Sequence, residues 1–294
     1  MDLSIVILNY NTREQLRTCL ESVRAEGSTI DTEVIVVDNA SSDGSADMVA
    51  ADFDWVTLIR APRNGGYAYG NNLGLRQSRA PAVMLLNPDT LVPPGSLAAL
   101  LNRLAAHPEA GVVGPKLVRP DGSMHLACRR SFPTPAVAFY RVSGLSRLFS
   151  HSPRFGRYNL TYLDPDLPTE VDSVCGACLL IRRAVIDRIG PLDERFFMYG
   201  EDLDWCLRAR QAGWSVRYEP SVVVQHQHGA ASRKRPLRTT VHFFRAMDLF
   251  YRKHYVDRYH PLVTGAVRTA IYGALAISVF RSLLTTPSQR RVGL

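Results

Sequence analysis

The sequence predicts an α/β fold with a mostly parallel central sheet and helices on both faces. Apolar runs at residues 3–8, 33–37 and 83–86 have the length of buried strands. Residues 13–26, between the first two runs, have apolar side chains at helical spacing. Strands that alternate with helices in this order favour parallel pairing.

Polar residues follow the strands at the points where the strands end. They are Asn9, Asn11, Asp38, Asp43, Asn64, Asn87 and Asp89. In open α/β sheets, ligands bind outside the carboxyl ends of the strands. We therefore expect a binding site at that edge of the sheet.

The remaining elements follow the same alternation, with one irregular part. The predicted order is a strand at 55–59, a loop at 63–72, an irregular excursion at 111–170, a strand at 171–181, helices at 182–189 and 201–211, and strands at 216–218 and 222–224. His226 and His228 follow the last strand.

Length and composition point to a globular body of one large or two modest domains. The chain has 294 residues, of which 46% are hydrophobic, and its first residues already read as a strand rather than a secretory signal peptide. Its five cysteines are unevenly spread, so we expect no disulfide framework and a reducing cytosol. The lone pair Cys175-Gly-Ala-Cys178 lies in an apolar run, and we expect no zinc or redox site there.

The positive charge is concentrated at the C-terminus. Residues 233–294 carry a formal net charge of +10, whereas residues 1–232 carry −2. Residues 238–255 predict a basic, aromatic amphipathic helix, and residues 264–284 a more apolar helix that Arg268 and Arg281 interrupt. We expect this segment to lie at a membrane surface and not to span it. The alternative is a helical hairpin that packs on the core or on a second subunit as a homodimer. No nucleic-acid recognition motif accompanies the charge.

Two familiar phosphate-binding loops are absent from the sequence. The turn after the first strand reads Asn-Tyr-Asn-Thr and not G-x-G-x-x-G, and there is no P-loop. The stretch Asn87-Pro88-Asp89 ends a buried strand, and on local grounds Asp89 is either a turn residue or a ligand of something positively charged.

Six motifs in order carry a family resemblance. They are SIVILNYN, VIVVDNASSDGS, RNGGYAYGNNLGL, LLNPDT, GACLLIRR and IGPLDERFFMYGEDLDWCLRARQAG. Together they resemble the family 2 glycosyltransferases of GT-A fold, and within them the bacterial rhamnosyltransferases of the cell envelope. The resemblance implies a GT-A domain over residues 1–232 and a helical extension over residues 233–294.

The resemblance also implies the residues of the reaction. Asp202, in the pair Glu201-Asp202, would be the general base of a single inverting displacement. The family's Asp-x-Asp metal motif here reads Asn87-Pro88-Asp89, so Asp89 would be the principal carboxylate ligand of Mg²⁺ or Mn²⁺ on the donor diphosphate. His226, or alternatively His228, would join the metal or the diphosphate.

Binding of the nucleotide-sugar donor is implied for a further set of residues. Asp38 would hydrogen-bond the nucleobase, with an Asx-turn as the alternative role. The rest of the substrate-binding set is Asn9, Asn11, Arg63, Asn64, Gly66, Asn71, Asn87, Gly176 and Glu201. Gly66 and Gly70 would allow close approach of the backbone to the nucleoside, or would serve as helix-entry turns.

We therefore expect an inverting, metal-dependent glycosyltransferase that uses a dTDP- or UDP-sugar. The resemblance favours dTDP-rhamnose as donor and a lipid-diphosphate-linked or polysaccharide acceptor. The enzyme would be cytoplasmic and peripheral on the inner face of the cell membrane. Two alternatives are a sugar nucleotidyltransferase, which would want an Arg/Lys-bearing glycine-rich loop after the first strand, and a non-catalytic membrane-surface scaffold, which would need neither Asp89 nor Asp202.

Overall fold

The computed structural model describes residues 1–26, 30–227 and 236–284. The strands are β1 (Leu3–Asn9), β2 (Thr32–Asp38), β3 (Val56–Arg60), β4 (Ala82–Leu86), β5 (Thr90–Leu91), β6 (Ala110–Val118), β7 (Arg129–Arg130), β8 (Thr169–Glu170), β9 (Ser173–Val174), β10 (Cys178–Arg182) and β11 (Ser215–His226). The helices are α1 (Arg13–Ala25), α2 (Ser45–Asp52), α3 (Tyr67–Gln77), α4 (Ser96–Ala106), α5 (Pro135–Val142), α6 (Leu145–Leu148), α7 (Arg183–Ile189), α8 (Glu201–Gln211), α9 (Pro236–His254) and α10 (Pro261–Leu284).

The main sheet is mixed and mostly parallel, as the alternation of elements predicts. Its strand order is β3-β2-β1-β4-β10-β6-β11-β5, and β8 pairs with β11. Strands β3, β2, β1 and β4 run parallel, as do β6 and β11. Strand β10 is antiparallel to both of its neighbours, β4 and β6. A second, two-stranded sheet pairs β7 with β9.

This topology brings the predicted polar residues to one edge of the sheet. Asn9 and Asp38 are paired in register at the ends of β1 and β2. The first residue of β10, Cys178, faces the last residue of β4, Leu86, because the two strands are antiparallel. Strand β11 ends at the same edge, where His226 pairs with Thr90.

The core lies between the sheet and its helices. Every residue of β4 is buried, which suits a central strand covered on both faces. Helix α1 buries the face formed by Leu16, Cys19, Leu20 and Val23. Full burial of such aliphatic side chains contributes about 1.5–3 kcal/mol each, so the strand ends rest on a rigid platform.

Three predicted element boundaries are wrong. The expected loop at 63–72 ends early, because Gly66 adopts φ +92° and caps α3, which begins at Tyr67. The expected strand at 171–181 is two strands, β9 and β10, separated by residues 175–177. The two strands expected at 216–224 form one strand, β11, whose register shifts between Glu219 and Val223, where Pro220 lacks an amide donor.

Helix α3 lies close to the strands because it contains glycines. A Cβ atom on Gly70 would lie 2.2 Å from Leu8 Cδ1, and one on Gly74 would lie 2.3 Å from Val6 Cγ1. Both distances are far below ordinary contact, so these two glycines serve the packing of α3 on β1. Of the two roles weighed for Gly70, neither applies, since it lies inside the helix.

Helix α9 packs on α8 through an aromatic cluster. The cluster contains Phe196, Leu203, Leu207, Ala246, Phe250, Tyr251 and Tyr255, and Phe132, Leu249 and Val267 pack against it. Helix α10 joins α9 through Asp248, which accepts hydrogen bonds from Arg268 at 2.8 Å and from Tyr272 at 3.1 Å. The two C-terminal helices are thus attached to the helix that carries the predicted base.

Helix α10 belongs to the C-terminal segment that we expect to lie at a membrane surface. Residues 261–282 form a 22-residue stretch of mean hydropathy 1.5 that is long and apolar enough to cross a membrane by length and composition. The expectation that this segment lies at a membrane surface without spanning it stays a prediction. Within this stretch only Ile271 is buried among the described residues, and the others are exposed or half-buried.

Candidate active site

Asp89 and His226 form a pair at the end of β4 and β11. His226 Nε2 lies 3.1 Å from Asp89 Oδ1 and 3.4 Å from the side-chain amide nitrogen of Asn87. Asp89 and His226 are buried, with 8% and 4% of their surfaces exposed. The backbone fixes the pair from both sides, because Thr90 is paired with His226 and the amide of Gln227 donates to the Asp89 carbonyl.

These side chains suit a hard divalent cation. Mg²⁺ accepts few protein ligands at about 2.1 Å, and two ligands at right angles around it lie about 3 Å apart. The 3.1 Å between His226 Nε2 and Asp89 Oδ1 has that spacing. The described residues contain no group of three or more His, Cys, Asp or Glu side chains that could hold a metal, so further ligands would come from the diphosphate and water.

Asp202 lies in the first turn of α8 and accepts three hydrogen bonds. Its Oδ2 receives Arg130 Nη2 at 2.7 Å and the amide of Gly176 at 3.0 Å, and its Oδ1 receives the amide of Leu203 at 2.8 Å. Both Asp202 and Arg130 are buried. Burial alone would lower the pKa of Arg130, but the adjacent Asp202 carboxylate more than offsets this and raises it, so Arg130 remains charged.

Glu201 is the neighbouring acid and has a different environment. Burial raises its pKa to about 8, and the Asp202 carboxylate adds to the shift. Its Oε2 is buried and has no hydrogen-bond partner among the described residues. At neutral pH, Glu201 is therefore largely protonated and can donate a hydrogen bond.

Two adjacent residues connect the Asp89 pair with Asp202. Gly176 donates its amide to Asp202, and Ala177 accepts the amide of Asn87 at 2.9 Å. Tyr67 closes this junction, because its hydroxyl donates to the Gly176 carbonyl at 2.7 Å. A Cβ on Gly176 would lie 3.0 Å from that hydroxyl, so a larger residue would crowd the junction.

Asn9, Asp38 and Ser41 form a second polar cluster at the ends of β1 and β2. The buried amide of Asn9 donates to Asp38 Oδ1 and to Ser41 Oγ, both at 3.1 Å, and it accepts the Thr12 hydroxyl at 2.6 Å. Asp38 Oδ2 accepts the Ser41 amide at 2.9 Å. The turn hydrogen bond that was the alternative role for Asp38 is therefore present, and Asn9 positions the carboxylate rather than presenting its own amide.

The loop after β3 is held by a pair of asparagines. Asn39 donates to Asn64 Oδ1 at 3.0 Å and to the Gly66 carbonyl at 3.2 Å. Gly66 lies against the Phe197 carbonyl, 2.3 Å from where its Cβ would be. Gly66 therefore forms the turn at which α3 begins, which is one of its two expected roles. Its backbone also approaches the segment 190–199 closely.

Three other predicted residues have mainly local contacts in the structure. Asn11 adopts φ +54° and accepts the Ser42 amide at 2.8 Å. Asn71 is buried within α3 and donates to the Tyr67 carbonyl at 3.0 Å. Arg63 is exposed, and its guanidinium lies 5.3 Å from the centre of the Tyr69 ring. His228, the alternative to His226, lies outside the described residues.

Asp204, the third acid of α8, has a structural environment. It is fully buried, bonds Arg208 at 2.9 Å, and contacts Lys253 and His254 of α9 at 2.7 Å each. Burial would raise its pKa, but these hydrogen bonds and charges outweigh burial and lower it. Asp204 thus fixes α9 to α8.

Sequence reasoning missed Arg130, Asn39, Tyr67 and His125. Arg130 belongs to the two-residue strand β7, and Asn39 to the turn after β2. Tyr67 was placed in the loop that proved to be α3. His125 is buried, with its ring centre 5.4 Å from that of His226. A usable signal for Arg130 was the arginine pair just before Ser131-Phe-Pro.

One cavity in the described part of the chain lies away from this edge of the sheet. It has about 440 Å³ and is lined by Glu109, Arg188 and Trp214 among others, near the starts of β6 and β11. That is the opposite end of these strands from Asp89 and His226. The carboxyl edge is the candidate site on the ground of its chemistry.

Comparison with known proteins identifies the family of the chain. The family described as Glycosyl transferase family 2 matches residues 4–190. The N-acetylglucosaminyl-diphospho-decaprenol L-rhamnosyltransferase of Mycobacterium tuberculosis is 28% identical over 99% of this chain and 97% of its own length. The low-salt glycan biosynthesis hexosyltransferase Agl10 of Haloferax volcanii is 29% identical over 73% of this chain and 64% of its own length.

Two solved structures share the fold. TarS 1–349 of S. aureus superposes with a TM-score of 0.57 at 14% identity, over 96% of this chain and 73% of that one. The mannosyltransferase PcManGT of Pyrobaculum calidifontis, in complex with GDP-Man and Mn²⁺, superposes with a TM-score of 0.56 at 18% identity, over 97% and 81%. The fold is GT-A, and the chain belongs to glycosyl transferase family 2.

Proposed function

We propose that this protein is an inverting glycosyltransferase that transfers L-rhamnose from dTDP-rhamnose to a lipid-diphosphate-linked acceptor of the cell envelope. The observation that carries the proposal is the junction at Gly176 and Ala177, which joins the Asp89–His226 pair to Asp202. The pair that would bind the metal and diphosphate and the acid that would accept the proton therefore lie at one edge of the sheet.

The choice of sugar and acceptor rests on the full-length relative. The mycobacterial rhamnosyltransferase aligns with nearly the whole of both chains, so the activity in its name guides our choice of donor and acceptor class. Asp38 would accept an N–H from thymine or uracil. Asn9 holds Asp38 in place for this role.

Asp202 would act as the general base. Its Oδ2 is occupied by Arg130 and Gly176, whereas Oδ1 accepts only the Leu203 amide among the described residues. Oδ1 would take the proton of the acceptor hydroxyl as that oxygen attacks the anomeric carbon. The bond between this carbon and the diphosphate oxygen breaks, and the nucleoside diphosphate leaves with the electron pair. Inversion follows because there is a single displacement.

Asp89, with His226 and the Asn87 oxygen, would hold Mg²⁺ or Mn²⁺. The bound cation would offset the negative charge of the leaving diphosphate. Glu201, protonated at neutral pH, would donate a hydrogen bond to the acceptor. Its raised pKa keeps one of two adjacent carboxyl groups neutral, which leaves Asp202 as the charged partner of Arg130.

The lipid-linked acceptor implies a location at a membrane. We propose that the enzyme works at the cytoplasmic face of the cell membrane and that α10, exposed and apolar, contacts the bilayer. The alternative, that α10 packs on a second copy of the chain, predicts a dimer in solution that detergent does not disrupt.

Product formation tests the proposal. The protein would be incubated with dTDP- and UDP-sugars and a short-chain, water-soluble GlcNAc-diphospholipid, with Mg²⁺ or with chelator, and analysed by mass spectrometry. We expect transfer from dTDP-rhamnose in the presence of metal. Transfer from another nucleotide sugar alone would overturn the choice of sugar, and absence of transfer from every donor, with nucleotide still bound, would overturn the choice of acceptor.

A further inference from the structure

The segment that contains β7, α5 and α6 has an unusual charge pattern. Residues 122–163 contain six arginines and no Asp, Glu or Lys. Two of the arginines, Arg129 and Arg130, are buried, whereas Arg141, Arg147, Arg154 and Arg157 are exposed. Among the described residues, none of Arg147, Arg154 and Arg157 has a carboxylate partner within salt-bridge distance.

The same segment exposes large apolar side chains. Phe139 and Val142 on α5 are each 62% exposed, Leu148 at the end of α6 is 74% exposed, and Phe149 after it is 47% exposed. We call these four residues, together with the four exposed arginines, the excursion surface. A soluble globular protein leaves single apolar residues exposed, but four within eleven residues of chain form a patch that calls for a partner.

The excursion surface is held by local packing. The ring centre of Tyr140 lies 5.0 Å from that of Phe155, and the Phe149 ring 5.4 Å from Phe155. The Arg154 guanidinium lies over both Tyr140 and Phe155. Phe139 and Leu148 are therefore exposed on a segment that has its own small aromatic core.

The excursion surface is attached to the candidate site and to the C-terminal helices. The chain enters it directly from Arg130, the partner of Asp202. Phe132, at the entry, packs against the cluster that also receives Val267 of α10. Phe132, which precedes α5, and Val267 of α10 thus pack against one common cluster, which contains Leu203, the residue after the predicted base.

We propose that the excursion surface docks on an anionic phospholipid bilayer, with Phe139, Val142, Leu148 and Phe149 inserted among the headgroups. Exposed aromatic and aliphatic side chains beside arginines have the chemistry of an interfacial membrane anchor. A second copy of the chain fits less well, because a symmetric contact would bring the arginines of the two excursion surfaces together without any acid from residues 122–163 between them.

The inference concerns how the protein meets its membrane and does not depend on the identity of the sugar. It places the docked surface on the chain segment that directly follows Arg130, the partner of Asp202. An assay with a water-soluble acceptor separates the two proposals, because it reports transfer without membrane docking.

The first test measures binding of the full chain to vesicles. Equimolar phosphatidylglycerol and phosphatidylcholine would be compared with phosphatidylcholine alone. The double variant Phe139→Asp with Leu148→Asp should weaken binding to the anionic vesicles by at least about tenfold, because it replaces apolar insertion by like-charge repulsion. The control is Leu167→Asp, which changes a residue that is 58% exposed but outside the excursion surface.

The second test locates the contact, because α10 also binds membranes in our account. Tryptophan would be introduced as Leu148→Trp and, separately, as Leu167→Trp, and quenching by brominated phosphatidylcholine in anionic vesicles would be measured. We expect quenching of the tryptophan at 148 and not at 167, with transfer to a soluble acceptor unchanged in both variants. Binding to vesicles without quenching at 148, or a dimer in solution that Phe139→Asp dissociates, would overturn the proposal.

Discussion

Arg130 Nη2 lies 2.7 Å from Asp202 Oδ2, so the predicted base is ion-paired within the protein. Both residues are buried, and Arg130 also donates to the Val174 carbonyl at 2.9 Å. Strand β7 is thereby tied to β9 and to α8. The arginine fixes the orientation of the carboxylate, whose Oδ1 is left with only one backbone donor.

Arg130 should act as a positioning residue for Asp202. Arg130→Ala removes the guanidinium that orients the base, and we expect kcat to fall by about 100-fold while affinity for the nucleotide donor stays unchanged. Added guanidinium should restore part of the activity. The measurements are steady-state kinetics and nucleotide titration calorimetry. Loss of donor affinity with little change in kcat would instead mean that Arg130 binds the diphosphate.

Glu201 should make the stability of the protein depend on pH. Its pKa is raised to about 8 in the folded protein, against about 4.5 in the unfolded chain, because burial disfavours the charged form. The contribution of Glu201 to the free energy of unfolding is therefore complete below about pH 4.5, and it is lost as the pH rises through about 8. Glu201→Gln stays neutral throughout, so its Tm relative to that of the wild type should rise between pH 5 and pH 9.

The control for Glu201→Gln is the exposed acid Asp47, which pairs with Arg60 on the surface. Asp47→Asn should show no such trend in Tm across the same range. A constant difference in Tm between Glu201→Gln and the wild type would contradict the raised pKa of Glu201.

Asp89 should determine the affinity for the divalent cation. Removal of a residue that only hydrogen-bonds a metal ligand lowers metal affinity by about 10–100-fold. Asp89 would itself be a ligand, so removal of its carboxylate should lower the affinity for the cation by at least about 100-fold. The measurement is binding of Mn²⁺ to Asp89→Asn in the presence of the nucleoside diphosphate, followed by electron paramagnetic resonance. Asp47→Asn again serves as the control. Unchanged Mn²⁺ affinity in Asp89→Asn would leave Asp89 as a turn residue only.

Asp204 should matter for stability rather than chemistry. It is fully buried and faces Arg208, Lys253 and His254, so Asp204→Ala leaves unpaired positive charge at the contact between α8 and α9. We expect the free energy of unfolding to fall by about 3–5 kcal/mol. Urea denaturation checks this, with the exposed Asp257→Ala as control. A loss below about 1 kcal/mol would mean that α9 is held by its apolar cluster alone.

The sheet and the residues at its carboxyl edge could be predicted from the sequence. Strands such as β4 are continuous apolar runs, and Asn87 and Asp89 follow directly, so their place at the strand end needs only the alternation of elements. The register between Asn9 and Asp38 follows from the parallel pairing of β1 and β2.

The surroundings of the base could not be predicted in the same way. Arg130 lies 72 positions from Asp202, on a strand of two residues that has no periodicity to reveal it. The start of α3 could not be predicted because a glycine-rich sequence is typical of a loop. In the structure Gly70 and Gly74 lie inside the helix, where they allow it to pack on β1. The raised pKa of Glu201 depends on tertiary burial, which the pattern of a helix start does not report.

The most direct test of the account is the rate of sugar transfer by Asp202→Asn. With the donor identified by mass spectrometry, the account predicts that kcat falls by about 10²–10⁴-fold, since asparagine cannot take the acceptor proton. Nucleotide binding and the folded far-ultraviolet spectrum should remain. A folded Asp202→Asn variant that transfers sugar at the rate of the wild type would contradict the assignment of Asp202 as the base.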